Sequence, residues 1–216
     1  MRNPWLDIPL ADYEGHMASP EVAQAQMIAG ALADLLQSHA PGSLAVIGCA
    51  GGNGFERIHR LETTRVVGVD INPLYLAEAR RRFDGAFDVL ELICADVGSE
   101  TDELGFAPVD LIFAALIFEY ADARVVLPRL AARLNAGGLL AVLLQLPALG
   151  VPEITRTSHT RLQGLAPVMR LVDPEAITDA ARVAGLAPSG RRRIDLPTGK
   201  TFQLLRFVPG PAAGAT

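Results

Sequence analysis

The stretch Leu44-Ala-Val-Ile-Gly-Cys-Ala-Gly-Gly-Asn-Gly54 limits what this chain can fold into more than any other part of it. Four apolar residues follow the turn signal Pro41-Gly42-Ser43, and so short and unbroken a run reads as a strand buried on both faces. Gly48, Gly51, Gly52 and Gly54 come immediately after it. Glycines there let the backbone turn sharply and let a ligand approach the main chain closely. Phe55, Ile58 and Leu61 then fall on one helical face, so a helix is expected to begin at the loop. Its unpaired N–H groups and dipole would complete a ligand cradle. A glycine-rich connector without a ligand fits the same residues, and the rest of the chain has to decide.

Arg65-Val-Val-Gly-Val-Asp70 reads as a second buried strand, ending in a carboxylate 22 residues after Gly48. That is where the two hydroxyls of an adjacent ribose would be met. The same carboxylate would also serve to cap the helix that starts at Asn72-Pro73 and turns Leu76, Ala79 and Phe83 inward. Arg80, Arg81 and Arg82 read as its solvated face. A third strand, 87–95, runs into Asp96, and Val109 to Ala115 makes a fourth that continues into Leu116-Ile-Phe-Glu-Tyr120. Strand and helix patterns alternating in this way argue for a parallel sheet with helices on both faces and right-handed crossovers. Ligands of such sheets bind beyond the carboxyl ends of the strands, and Gly48, Asp70, Asp96 and Glu119 all fall on that rim.

Further on, Asp122 precedes a helix carrying Val126, Leu130 and Leu134, expected to start near Leu127 because Pro128 disturbs its interior and to stop at Gly137-Gly138. Leu139 to Leu146 has the near-continuous apolar character of a central strand, with Gln145 as its one polar residue. From Pro147 to Leu171 the periodicity is lost, and Thr157, His159, Thr160 and Arg161 mix with Leu162, Leu165 and Met169. This reads as a loop with a short helix, longer than a connection requires. Asp173-Pro174 caps a last helix ended by Gly185. Two strands, 189–196 and 201–208, are joined by Pro197-Thr-Gly-Lys200 and must therefore be antiparallel. Arg191 to Arg193 would keep their edge from aggregating. Before all this, residues 1–19 lack periodicity but concentrate Trp5, Tyr13, His16 and Met17. They read as a flap over something or as a strap packed on the core, with Ser19-Pro20 starting a helix to about Ser38.

The expected fold is α/β and doubly wound: a mostly parallel seven-stranded sheet with a C-terminal antiparallel hairpin and helices on both faces. It forms one domain over 1–216. Residues 1–40 are flap and helix, 41–208 the core with a lid-like insertion at 147–171, and 209–216 a Gly/Ala/Pro tail expected to be disordered.

Composition narrows the partners. A 216-residue chain with 50% hydrophobic residues can bury one sizeable core. A net charge of −5 with a pI near 5.4 argues against nucleic acid as a partner. Eighteen arginines against a single lysine read as coding bias. Cys49 and Cys94 suit a reduced, intracellular protein, and no ligand spacing calls for a metal. Asp7, Asp12 and Glu14 speak against a signal peptide, and no apolar run reaches membrane-spanning length, so a cytoplasmic protein with no membrane partner is expected. Oligomeric state is not legible.

The loop Gly48-Cys-Ala-Gly-Gly, Asp70, Asp96 and the terminal hairpin resemble the class I S-adenosylmethionine-dependent methyltransferases, over Leu44 to Val208. The resemblance implies S-adenosylmethionine as cofactor and S-adenosylhomocysteine as product. It places Gly48, Cys49, Ala50 and Gly52 around the methionine part, and Asp70 on the ribose hydroxyls. Asp96 would reach the adenine amine, Ile71 and Val97 the adenine faces, and the Ala115 carbonyl the amino-acid end. Two positions depart from the family. Ala50 replaces the middle glycine of the loop, and Val46 stands where many members carry an acid. Leu116 to Tyr120 also lacks the Asn-Pro-Pro-Tyr type of motif used for planar amines, and the acceptor is expected to be a small molecule.

A nicotinamide-dependent oxidoreductase would need glycine at Asn53 and makes no demand for Asp96. A non-catalytic module that binds S-adenosylmethionine or S-adenosylhomocysteine keeps the same cradle. For catalysis the polar groups expected around the methyl are Tyr13, His16, Glu119, Tyr120 and His159, with His16, Tyr120 and His159 as the candidate catalytic residues. His39 and His59 read as surface residues. The segments 1–19 and 147–169 are expected to close over the cofactor, with His16 and His159 facing each other across the methyl.

Overall fold

The structure is a computed structural model, and it describes residues 3–211. Seven strands form one sheet: β1 (Ser43–Ile47), β2 (Arg65–Asp70), β3 (Val89–Cys94), β4 (Val109–Ala115), β5 (Leu134–Leu146), β6 (Leu186–Asp195) and β7 (Thr201–Pro209). Their order is β3-β2-β1-β4-β5-β7-β6. The first five strands are parallel, and β7 runs antiparallel to both β5 and β6. The chain order reverses between β1 and β4, which is where such a sheet opens a crevice. The apolar runs that pattern these strands bury on both faces. One core cluster gathers Ile47, Val69, Ile112, Val142 and Phe207, and the other gathers Val46, Phe113, Leu143, Phe202 and Leu204.

Helices α1 (Leu10–Ala18), α2 (Gln24–His39), α3 (Pro73–Phe83), α4 (Ala123–Ala131) and α5 (Pro174–Val183) cover the sheet. Short polar side chains start three of them: Asn72 accepts from Leu74 N, Asp122 from Arg124 N and Asp173 from Glu175 N.

Several expectations need correcting. No regular helix follows the glycine loop; only a single 3-10 turn, Phe55–Arg57, forms there. Gly52 and Gly54 both take positive φ, Phe55 is pinned by the rings of Phe83 and Phe87, and Leu61 is left 79% exposed. A helix dipole therefore does not converge on the loop. Residues 3–19 are not irregular but hold a 3-10 turn (Pro4–Asp7) and α1. Ser19-Pro20 does not start a helix, because it lies in the turn after α1, where Ser19 O accepts from Val22 N and Ala23 N. Ala23 then takes a left-handed conformation, and α2 begins only at Gln24.

Pro128 lies inside α4 without delaying its start, since the Asp122 cap and the buried Val126, Leu127 and Leu130 hold the short helix. Leu134, Gly137 and Gly138 belong to β5, whose pairing with β4 shifts register between Val109 and Leu111. Arg82 is no solvated arginine, because it bridges Glu78 and Glu14 of α1 and so ties α3 to the N-terminal segment. Pro209 closes β7, and residues 212–216 of the expected tail lie outside the described residues. Among the described residues, no helix is long and apolar enough to cross a membrane.

Candidate functional site

The rim of the sheet is built from backbone first. As β1 ends, Gly48 N and Cys49 N both donate to Val69 O, at 2.8 and 3.1 Å, which turns the chain over the end of β2. Gly48 takes φ +71°, a conformation that favours glycine, and Ala50 takes φ +47° at a cost of ~1–2 kcal/mol. Asp70 receives this turn. Its Oδ2 accepts Ala50 N at 2.9 Å and its Oδ1 accepts Asn72 N at 2.8 Å, so one carboxylate fixes both the loop and the start of α3. Asp70 is 8% exposed, and burial raises its pKa while these two bonds hold it down. Asp96, after β3, accepts Gly98 N at Oδ1 (2.9 Å) and the side-chain amide of Asn3 at Oδ2 (3.4 Å). Arg129 of α4 steadies this loop by donating to the carbonyls of Val97, Ser99 and Asp102.

These elements open onto a cavity whose wall includes Gly48, Ala50, Asp70, Ile71, Asp96, Val97 and Ala115. Cys49 and Gly52 are not on it. Cys49 is buried beneath the loop in the core, and a Cβ at Gly52 would lie 2.4 Å from the Phe83 ring, so that glycine serves packing. Aromatic rings close one side: Trp5 meets Tyr13 and Tyr120 edge-on, and Tyr13 stacks on Tyr75. Leu116, also on the wall, holds φ +57°, an outlier for a bulky residue at the end of β4.

The expected catalytic residues separate. His16 is 3% exposed on the cavity wall, and its Nδ1 pairs with Thr157 Oγ1 at 3.0 Å. Burial, with Lys200 and His159 nearby, pushes its pKa down to about 4, so the ring is neutral at neutral pH. Tyr120 is on the wall, with its phenol pushed well up by burial. His159 is not on the wall. It packs over Gly15, beside Asp12 of α1 (Nδ1–Oδ1 3.4 Å), and so does not face His16 across the cavity.

Glu119 is 1% exposed and lies behind the wall. Its Oε1 accepts Gln145 N at 2.8 Å, its Oε2 has no partner, and burial lifts its pKa to about 7.

Residues unforeseen from sequence complete the far end of the cavity. Lys200, the chain's single lysine, is 2% exposed on the wall, and its Nζ donates to Glu153 O at 2.6 Å and Gln145 Oε1 at 3.3 Å. Among the described residues, no carboxylate oxygen lies within ion-pair distance of that nitrogen. Burial lowers its pKa to about 8. Gln24 of α2 donates to the same Gln145 Oε1 at 3.2 Å. One signal was available: among eighteen arginines, a lone lysine marks a position where the bias did not prevail.

A family profile described as methyltransferase domain matches residues 46–140. The chain belongs to the class I methyltransferase family. It is 40% identical over 156 residues to a trans-aconitate 2-methyltransferase of Methylobacterium nodulans, a match covering 71% of this chain and 52% of that one. The chain thus spans about half the length of the curated relatives it matches. Among solved structures, magnesium protoporphyrin IX methyltransferase from Synechocystis PCC 6803 with bound S-adenosylhomocysteine aligns at a TM-score of 0.65 with 16% identity, covering 88% of this chain and 84% of that one. The [4+2]-cyclase SpnF aligns at 0.62 with 15% identity, covering 83% and 81%. Methyltransferases and a cyclase therefore share this fold, and chemistry has to be argued from the site.

Proposed function

We propose that the chain transfers the methyl group of S-adenosylmethionine to a small organic acid. The observation that carries this is the pairing, on one cavity wall, of two acids that end adjacent strands, Asp70 and Asp96, with the Gly48–Ala50 turn. The residues fit the cofactor. Each Asp70 oxygen uses one lone pair on a backbone N–H and keeps another for a ribose hydroxyl. Asp96 Oδ2 already takes an amide N–H from Asn3, the type of donor that an adenine amine presents. Ile71 and Val97, on the same wall, would supply the apolar faces beside it, and the Ala115 carbonyl would meet the amino-acid end.

When bound, the cofactor supplies a methyl made electrophilic by its sulfonium. An acceptor held in line with it would take the methyl carbon while the C–S electron pair stays on sulfur. The chain's own contribution is to hold the acceptor in line and exclude water. Trp5, Tyr13, Tyr75 and Tyr120 form the dry wall for this, and ring faces there favour a cation by ~0.5–2 kcal/mol. Of the rings on this wall none is a strong base, because His16 is neutral with a weakly basic nitrogen and the phenols are held protonated. That favours an acceptor that arrives without a proton to lose, as a carboxylate oxygen does. The names of the curated relatives, trans-aconitate 2-methyltransferases, support the same class.

The test is incubation with S-adenosylmethionine carrying a labelled methyl and a panel of mono-, di- and tricarboxylates, trans-aconitate included. Label transferred to a base-labile ester is expected. A second reading, a binding module without methyl transfer, is favoured by the shared fold of the cyclase. It would gain if S-adenosylhomocysteine bound tightly while no acid was labelled.

A further inference from the structure

The cavity has two electrically distinct ends. Asp70 and Asp96 lie at the ends of β2 and β3, whereas Lys200 sits just before β7, where Thr201 pairs with Leu146 at the end of β5. At the usual strand spacing, β7 lies ~19 Å from β2 and ~10 Å from β4. Lys200 is therefore far from the nucleotide end and close to the space that an acceptor would fill.

An ammonium has three donors, and the two partners found for this one are neutral oxygens, Glu153 O and Gln145 Oε1. The Glu153 carboxylate, on the same wall, favours the charged form only from beyond ion-pair distance, and burial still outweighs it; a buried cation so thinly compensated is costly, and an anion entering the cavity would offset that cost. The scaffold around it is fixed. Gln145 is held through its backbone N–H by Glu119 and through its Oε1 by Gln24, so Lys200 is aimed by a network reaching into α2 and β5. The rest of the chain places arginine wherever a surface cation is wanted; the single lysine is the one buried on this wall. A compact ammonium suits such a site, since it is a point charge on a flexible stem, where a guanidinium would demand a planar set of acceptors.

We propose that the Lys200 ammonium anchors a carboxylate of the acceptor other than the one that is methylated, which makes the substrate class organic acids with at least two carboxylates. This rests on the methyl-transfer reading above. The anchored carboxylate is the weaker nucleophile, because pairing with an ammonium withdraws charge from the oxygen that must attack, so the free carboxylate is the better acceptor. Asp70 and Asp96 repel the polyanion at the opposite end, so the cavity reads orientation as well as charge.

The test uses the protein saturated with S-adenosylhomocysteine, titrated calorimetrically with trans-aconitate as the probe. Wild type, Lys200→Met and Lys200→Gln are compared, with trimethyl trans-aconitate as a neutral competitor on wild type. The expected result is that both variants keep their affinity for S-adenosylhomocysteine and lose tenfold or more in affinity for trans-aconitate, while the trimethyl ester does not compete. Retained trans-aconitate affinity in either folded variant, or competition by the ester equal to that of the acid, overturns the proposal. Should the variants fail to fold, the ester arm on wild type still decides. No binding of trans-aconitate, citrate or succinate to the wild-type complex overturns the proposal while leaving methyl transfer to other acceptors standing. Failure of wild type to bind S-adenosylhomocysteine instead overturns the reading on which it rests.

Discussion

The side-chain amide of Asn3 donates to Asp96 Oδ2 at 3.4 Å, so the N-terminal segment reaches the carboxylate that the family resemblance assigns to the adenine amine. Asn72 Nδ2 reinforces the contact by donating to Trp5 O at 3.1 Å. If adenine takes the same oxygen, Asn3 competes with it. Asn3→Ala should then tighten S-adenosylhomocysteine binding by about threefold to tenfold, the worth of one hydrogen bond of ~1 kcal/mol. Calorimetric titration of the variant checks this, and weaker binding would show that Asn3 cooperates with the nucleotide instead.

Asp70→Asn should weaken S-adenosylhomocysteine binding more than tenfold. Both oxygens of Asp70 accept backbone N–H groups, from Ala50 and Asn72. An amide can present only one oxygen, so its NH2 would face an N–H, and the charge offered to the ribose would be lost. Affinity within threefold of wild type would remove Asp70 from the cofactor site.

Much of this is legible in the sequence because strands buried on both faces leave an unmistakable apolar run. β4 can be read at its full extent, and the rim position of Gly48, Asp70 and Asp96 follows from it. What fails is local. The spacing of Phe55, Ile58 and Leu61 suggests a helix after the loop, yet Gly52 and Gly54 at positive φ send the backbone elsewhere. Residue type alone groups His159 with His16, and no periodic signal shows that it packs on Asp12 and Gly15 of α1 and off the cavity wall. Lys200 is hidden in a turn, because burial there comes from β5 and residue 153, distant in sequence.

Glu119→Gln should stabilise the protein at pH 8 by up to about 3 kcal/mol relative to its effect at pH 4, since a tenfold change in proton affinity corresponds to about 1.4 kcal/mol. Burial raises the Glu119 pKa from 4.5 to about 7. Between these values the folded chain keeps a proton that the unfolded chain has released, so its contribution is present below pH 4.5 and is lost as pH rises through 7. Gln keeps the acceptor for Gln145 N and carries no charge. Denaturant melts of both proteins across pH 4 to 8 measure this, and parallel curves would contradict it.

The acceptor's kcat/KM should fall as pH rises through about 8. Lys200 is charged below that value and neutral above it, and kcat/KM reports the free protein's ionisation. Over the same range His16, the titrating ring on the wall, is already neutral, with its pKa near 4, and so adds no second step. The fall centred near 8 should disappear in Lys200→Met, whose kcat/KM is low, while any step from Glu119 near 7 is common to both proteins. An unchanged alkaline limb in that variant would assign the ionisation to another group.

Everything proposed for the acceptor depends on the cofactor, and calorimetric titration of the wild-type protein with S-adenosylmethionine, S-adenosylhomocysteine and NAD tests that dependence directly. One-to-one binding of both sulfur nucleotides and none of NAD is expected, in keeping with Asn53 standing where a dinucleotide fingerprint needs glycine. Binding of NAD alone, or of none of the three, would contradict it.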